Sequence, residues 1–244
     1  NGNKGTIRLT DVDVTNPTGS GIVVVNQGSI FLTNVQVVDS NGYGAYLNNT
    51  YYDAGLGKYI NTGNITVTNS VFLRNGGPAD SQNHAGLYPV SAGNIVLNGV
   101  VANGNYGNGA TILAVGPSII IRNSTFSNNS AVPNNDLFGH GIYFNPGGTA
   151  NITLDNVYLF NNENSGAVLS TTGNVTLKMV NASYNGRHGV RIASHPISES
   201  LGAKNVIVQN SNFYRNFVTG LVMFTSGAVK VSNVSSTNPS SGAG

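Results

Sequence analysis

Asn151-Ile-Thr-Leu-Asp-Asn-Val-Tyr-Leu-Phe-Asn-Asn162 decides how this chain folds, because its pattern returns along the whole length. Near-copies start at Asn64 (NITVTNSVFLRN) and at Asn205 (NVIVQNSNFYRN). Looser copies start near Thr6, Ser29, Asn94, Ser118, Asn174 and Ala228, which makes nine units. Three intervals between starts are 23 residues and one is 24, while the other four, 30 to 35, are the same unit enlarged by a loop. Self-similarity at such a period is the mark of a repeat architecture.

Aligned on their starts, the units show which side chains face inward. One position after each start stand Ile7, Ile30, Ile65, Ile95, Ile119, Ile152, Val175, Val206 and Val229; two further on stand Leu9, Leu32, Val67, Leu97, Ile121, Leu154, Leu177, Val208 and Val231. Alternation with period two and β-branched enrichment predicts a strand with these columns inside. A second short strand puts Val14, Val37, Phe72, Ala102, Phe126, Leu159, Ala182 and Phe213 inside. A third follows a recurring glycine, from Gly21 through Gly109 to Gly220, and turns Ile22, Ala45, Leu87, Ala110, Ile142, Ala167, Val190 and Leu221 inward. Three short strands per unit and no helical period exclude a leucine-rich horseshoe and any βαβ fold. A propeller blade needs four strands. Stacked units pair like strands in parallel, so the prediction is all-β: one parallel β-helix over residues 1–244 with about nine coils, and a tail or linker at 237–244.

Two asparagine columns run in phase with the strands. Asn34, Asn69, Asn123, Asn156, Asn210 and Asn233 lie five positions after their starts, and Asn75, Asn105, Asn129, Asn162, Asn185 and Asn216 lie eleven after. Asn tolerates a left-handed backbone, and its amide bonds an identical amide one coil away. Both columns are therefore expected to form ladders at left-handed corners. This column pattern resembles that of pectate-lyase-like right-handed β-helix proteins and of the Asn- and Gly-rich solenoid repeats of large bacterial surface proteins. The resemblance covers essentially the whole chain and implies right-handed coils and a location outside the cell or on a bacterial surface. It specifies architecture, not chemistry.

Composition narrows the function. Charged residues are only 8% of the chain, against 32 Gly and 38 Asn, so the surface is built of Asn, Ser, Thr and Gly. A formal charge of +2 with 11 scattered Lys and Arg gives no basic stripe for nucleic acid. No stretch has the length of a membrane span and no leader stands at the start. Both termini read as cuts or linkers. There is no Cys, hence no disulfide and no thiolate metal site, and cysteine usage does not choose a compartment. No cofactor motif is present, and no loop supplies the six to eight oxygen ligands of a calcium site. Eight Asn-x-Ser/Thr sequons arise mostly from the repeat itself and lie at strand edges, so they are read as unmodified.

Chemistry must lie where the repeat is interrupted. Insertions follow Leu47 and Ala193 and precede Gly86 and Gly141. Gly139-His140-Gly141, with Asp136 four residues earlier, resembles the Gly-His-Gly of polygalacturonase-like hydrolases. That family's Asn-x-Asp segment and adjacent Asp pair are missing: Asp39 and Asp80 stand alone, and the paired carboxyls of an inverting mechanism cannot be assembled. The favoured reading makes His140 the exposed residue before a strand-opening glycine, as His188 is before Gly189. Arg187, His188 and Arg191 form a basic group without an acidic partner set, so the catalytic candidates are Asp136, His140, His188 and Arg191, and none is compelling. A binding face has better support. Two positions after the strand-opening glycine the side chain points outward, and there stand Tyr46, Tyr88, Tyr143 and Arg191, a column suited to stacking on sugar rings. The competing reading has the insertions cover these tyrosines as a secondary core. The outward face of the first strand, from Arg8 and Phe31 through Ile207 to Lys230, is a flat Thr/Val/Ile stripe suited to another protein. The expected function is an extracellular structural or adhesive solenoid, either a segment of a longer surface protein or a protomer stacking end to end, with polysaccharide as a further partner. The alternative is a polysaccharide-degrading lyase or hydrolase.

Overall fold

The computed structural model describes residues 4–60, 63–77, 84–114, 116–130, 138–144, 148–193 and 202–237, and every regular element among them is a strand. Like strands of successive units pair in parallel and in the register the columns demand. Ile7 pairs with Ile30, and the row continues through Ile65, Ile95, Ile119, Ile152, Val175 and Val206 to Val229. Val14 heads a second row and Ile22 a third, the latter running to Leu221. The result is a parallel β-helix of nine coils with one sheet of eleven strands and one of eight. Its core is continuous: Phe72, Phe126 and Phe213 are wholly buried, with smaller Ala102, Leu159 and Ala182 in the rows between them. Alternating large and small side chains lets adjacent layers interlock at the density of a protein interior.

In seven coils the first and second strands run together as one bent strand, for example Ile7–Thr15 and Asn151–Phe160. Coils 3 and 4 divide them, as Ile65–Thr68 with Val71–Leu73 and Ile95–Asn98 with Val101–Asn103. The bend falls five residues after each start, where φ is positive in all nine coils, from 47° at Asn69 to 67° at Gly99. These corners face solvent and carry single amide bonds: Asn156 Nδ2 donates to Asn123 Oδ1 at 3.0 Å and Asn233 Nδ2 to Asn210 Oδ1 at 2.9 Å. Asn34 Nδ2 donates to an Asp11 carboxylate oxygen at 3.0 Å, and Met179 interrupts the row.

The second asparagine column works differently, which corrects the expectation that both sit in left-handed backbone. There the positive φ belongs to the residue before: Asn16, Asp39, Arg74, Gly104, Asn128, Asn161, Tyr184 and Arg215. Asn75, Asn105, Asn129, Asn162, Asn185 and Asn216 keep ordinary backbone and are buried. Each of the first five makes the same three bonds. Asn129 Nδ2 donates to Asn162 Oδ1 of the next coil at 2.8 Å, the Asn129 backbone N–H donates to the same oxygen at 3.3 Å, and Nδ2 also donates to the Ala102 carbonyl of the preceding coil at 3.4 Å. Ser40 opens the ladder, its N–H and Oγ both donating to Asn75 Oδ1. The strand-opening glycine follows from this ladder. A Cβ on Gly109 would stand 2.7 Å from Asn129 Nδ2, and one on Gly141 2.9 Å from Asn162 Nδ2. A third amide column, unread in the sequence, joins the unit starts: Asn205 Nδ2 donates to Asn174 Oδ1 at 2.8 Å and Asn174 Nδ2 to Asn151 Oδ1 at 3.1 Å.

Of the insertions, the one after Leu47 forms an antiparallel hairpin, Tyr51–Asp53 with Lys58–Ile60, whose turn is closed by Gly55 and Leu56 N–H groups donating to Asp53 Oδ1. Residues 78–83, 131–137 and 194–201 of the other three lie outside the described residues.

Removing one buried rung leaves donors and acceptors stranded on two neighbouring coils, whereas an exposed corner amide is replaced by water. Asn162→Ala should therefore destabilise the chain by about 3 kcal/mol in urea denaturation, and Asn156→Gly, which keeps the corner accessible to a left-handed φ, by less than about 1 kcal/mol.

Candidate carbohydrate-facing surface

The outer face of the second sheet carries the predicted binding column one residue per coil, so adjacent members are about 4.8 Å apart. Its register is that of the inward row beside it: Tyr46 pairs with Tyr88, Thr111 with Tyr143, Tyr143 with Val168, and Val168 with Arg191. What differs along the column is its cover.

At coils 2 and 3 the face is open. Tyr46 and Tyr88 are half-buried and meet edge-on with ring centroids 5.6 Å apart. Tyr43, from the turn before Gly44, lies 5.7 Å from Tyr46 and 5.3 Å from Tyr88, and the His84 ring meets Tyr43 edge-on at 5.0 Å. Asn48 Nδ2 donates to the Tyr46 hydroxyl at 3.1 Å. Four rings thus share one patch, and two of them, Tyr43 and His84, were not among the residues singled out in the sequence. The signal for Tyr43 was available: it stands before a strand-opening glycine, in the column that also holds His140 and His188.

At coils 4 to 6 the same column is closed. Thr111, Tyr143 and Val168 are 0%, 6% and 4% exposed, so Tyr143 belongs to a secondary core and not to an accessible face. Burial raises its hydroxyl pKa above the ordinary tyrosine value. At coil 7 Arg191 is half-buried with its guanidinium 5.6 Å from the Phe224 ring centroid. The proposed column is therefore one open tyrosine pair, a buried tyrosine and a separate arginine.

His140 is buried, which corrects the expectation of an exposed residue. It stacks on Tyr143 with ring centroids 5.4 Å apart. Its Nδ1 accepts the Ser165 N–H at 3.2 Å, while its own N–H donates to Asn108 Oδ1 at 2.9 Å. Ser20 Oγ accepts the Tyr43 N–H and Ser165 Oγ the His188 N–H in the same way. The residue before the strand-opening glycine is thus another corner ladder, in which His140 does the work of a serine or an asparagine. Asp136 lies outside the described residues. Among the described residues no three His, Cys, Asp or Glu side chains gather to hold a metal ion.

The first sheet offers two further features. Its outward stripe is half-exposed from Phe31 to Ile207, with the Arg8 guanidinium 4.2 Å from the Phe31 ring centroid at one end. A shallow cleft of about 490 Å³ lies against coils 7 to 9, lined by Asn174, Thr176, Asn205, Ile207 and Lys230 among others. The Asn174 and Asn205 amides there are engaged in the start-position ladder.

The family described as right-handed β-helix region matches residues 1–177 and 134–244. This chain belongs to that family. The β-helix is similar to pectate lyase Pel9A, which aligns over 95% of this chain at 20% identity with a TM-score of 0.59; this chain spans 54% of that protein, about half its length. The A-module of the Azotobacter vinelandii mannuronan C-5 epimerase AlgE6 aligns over 93% of this chain and 65% of its own at 16% identity and a TM-score of 0.46. Likeness at these identities is likeness of fold. Among curated proteins there is no match. Among the described residues no helix is long and apolar enough to cross a membrane.

His188 gives the surface a pH dependence. Its Nδ1 is buried without a hydrogen-bond partner among the described residues. Desolvation, then the charges of Arg187 and Arg191, hold its pKa below the usual 6.5. The unfolded chain takes up this proton at a higher pH than the folded one, so stability falls as pH drops below about 6.5 and is unaffected above it. Denaturation midpoints measured from about pH 7 to about pH 5 should fall less steeply in His188→Asn, since Asn108 already fills this column position.

Proposed function

We propose that this chain is an extracellular β-helix scaffold that holds polysaccharide against the open end of its second sheet. The observation that carries this reading is the patch of Tyr43, Tyr46 and Tyr88, three mutually packed and half-buried rings at the outer face of the second sheet, with His84 edge-on to Tyr43. Aromatic faces on a shallow surface stack on sugar rings, and the neighbouring amides of Asn48 and other corner residues suit hydroxyl groups. Rings held by mutual contact lose little freedom on binding, which favours even a small contact area. The Asn-, Ser- and Thr-rich surface supports the extracellular part of the proposal.

The scaffold part rests on the ends of the solenoid. In coil 9 the inward columns surface, with Val229 45% and Val231 50% exposed, and in coil 1 Ile7, Leu9, Val12 and Val14 are only partly covered. A further coil, from the same polypeptide or a second copy, buries these rows and pairs the open strand edges. Light scattering after size exclusion should show assemblies longer than one chain; a strictly monomeric particle argues against the end-to-end version.

A second reading, a polysaccharide-degrading enzyme, draws on the fold shared with pectate lyase Pel9A. Incubation with pectins, alginates and other polysaccharides distinguishes the two. The scaffold reading expects retention in affinity electrophoresis without new reducing or unsaturated ends, and at least about tenfold weaker retention for Tyr46→Ala/Tyr88→Ala. Unchanged retention in that variant removes the tyrosine patch as the site. Turnover lost in Arg191→Ala establishes the enzyme instead.

A further inference from the structure

We infer that, within the scaffold reading above and independently of its tyrosine patch, the open edge of coil 1 is an interface for a second copy of this chain, joined head to head about a two-fold axis.

In coil 1 both amide ladders stop. Along the exposed corner column each asparagine donates to the coil before it, as Asn233 does to Asn210, Asn156 to Asn123 and Asn34 to Asp11. Asp11 accepts this bond but has no amide to donate onward. The buried column opens only at Ser40, and its place in coil 1 is taken by Pro17, whose side chain has no polar atom. Head-to-tail stacking, in which coil 9 of one copy continues into coil 1 of the next, therefore sets the Asn233 amide oxygen against the Asp11 carboxylate, two acceptors. The same columns set Lys230 beside Arg8. Like charges directly opposite in a sheet are destabilising.

Turned over, the edge complements itself. Ile7 and Asn16 direct their N–H groups at coil 2, to the Ser29 and Val38 carbonyls. By the alternation of an extended strand, Arg8 ahead of the corner and Asp13 after it present their N–H and C=O groups to the open edge. An antiparallel neighbour that sets Arg8 opposite Asp13 of the second copy satisfies those groups. It also sets Ile7 opposite Val14 of the second copy and Leu9 opposite Val12, and all four are inward side chains only partly buried in the single chain. Arg8 and Asp13 are both outward and exposed, and neither has an ion pair among the described residues; the Arg8 guanidinium lies over the Phe31 ring. The two-fold axis makes every contact occur twice, which is the isologous form of interface.

The third strand of coil 1 has the same opening. Ile22 and Asn26 donate to the Gly44 and Asn48 carbonyls of coil 2, which leaves the edge groups to Val23 and Val25, and their outward side chains are 60% and 71% exposed. Laid antiparallel on its copy, this strand sets Val23 opposite Val25. Coil 9 has no such match: turned on itself in the same way, Lys230 meets Ser235, and its strand Val229–Thr237 holds no acidic residue. An unpaired edge with self-complementary charge thus selects a second copy at coil 1.

Sedimentation velocity on the full chain across a range of concentrations tests this. One species of twice the chain mass should form and grow no further, and its dissociation constant should rise with salt. Arg8→Asp or Asp13→Arg should weaken it at least about tenfold, and the two together, which exchange the charges, should restore it. Both side chains are exposed, so these variants keep the fold, which circular dichroism checks. The chain has no Cys, so Arg8→Cys/Asp13→Cys can be oxidised without background. Residues opposite each other in a hydrogen-bonded antiparallel pair lie about 5.5 Å apart between Cα atoms, within disulfide reach, and the product should be a covalent dimer and nothing larger. Assemblies that lengthen with concentration and are strengthened by Arg8→Asp show head-to-tail stacking; they overturn the head-to-head interface and leave the scaffold reading in place. A strict monomer overturns both this interface and the end-to-end version of the scaffold. A dimer indifferent to charge reversal, or not cross-linked in the cysteine variant, overturns this interface alone.

Discussion

The β-helix depends on the satisfaction of polar groups at one buried corner. Every coil must turn from the second strand toward the third inside the stack, where water does not reach and an unpaired amide N–H is costly. The Asn75-to-Asn216 ladder answers this with one side chain per coil that bonds upward to the next amide and downward to the carbonyl of an inward-facing residue. Each asparagine from Asn75 to Asn185 thereby ties three coils. A shift of register by one residue would set Asn129 opposite Asn161 or Glu163 instead of Asn162 and break the chain of amide bonds, so the ladder helps the hydrophobic rows hold the parallel pairing in phase. With the carbonyl of the next coil's glycine, it also favours glycine at the opening of the third strand, since the two together occupy the space of a Cβ at Gly44, Gly109, Gly141, Gly166 and Gly189.

That constraint sets where function can lie. Positions inside the rows and ladders have one permitted role, and His140 shows how far this reaches: a histidine in a Gly-His-Gly sequence is absorbed as an acceptor for the next coil's N–H. His188, two coils further along the same corner ladder, is the incomplete version, flanked by arginines and left with an unsatisfied nitrogen among the described residues. Outward positions are unconstrained by stacking, and there the chain spends its few aromatic and basic side chains. They gather at opposite ends of the molecule: Tyr43, Tyr46 and Tyr88 on the second sheet at coils 2 and 3, and Tyr184, Tyr214, Arg215 and Phe217 at the corner of coils 7 and 8.

The inward rows were legible from the amino acids because alternation with period two leaves only one face for Ile30, Leu32 and Val37, and repetition fixes which residue stacks on which. The pairing of Ile7 with Ile30 and of Ile152 with Val175 follows from that alone. Column position did not distinguish the two asparagine rows, since φ at Asn156 and burial of Asn162 are set by how the corner closes against neighbouring coils. Nor did it distinguish Tyr46 from Tyr143. Both occupy the same outward position, and their different exposure depends on what surrounds them from units 23 to 35 residues away.

Sequence by itself therefore determined the parallel β-helix, its nine coils, its three-strand repeat and the identity of the core rows, because these are properties of a local pattern repeated in phase. Tertiary structure alone decided which amide ladder is buried, which tyrosines remain open and that an arginine settles between two rings at the far corner. Those outcomes are contacts between residues of different coils, and no single unit contains them.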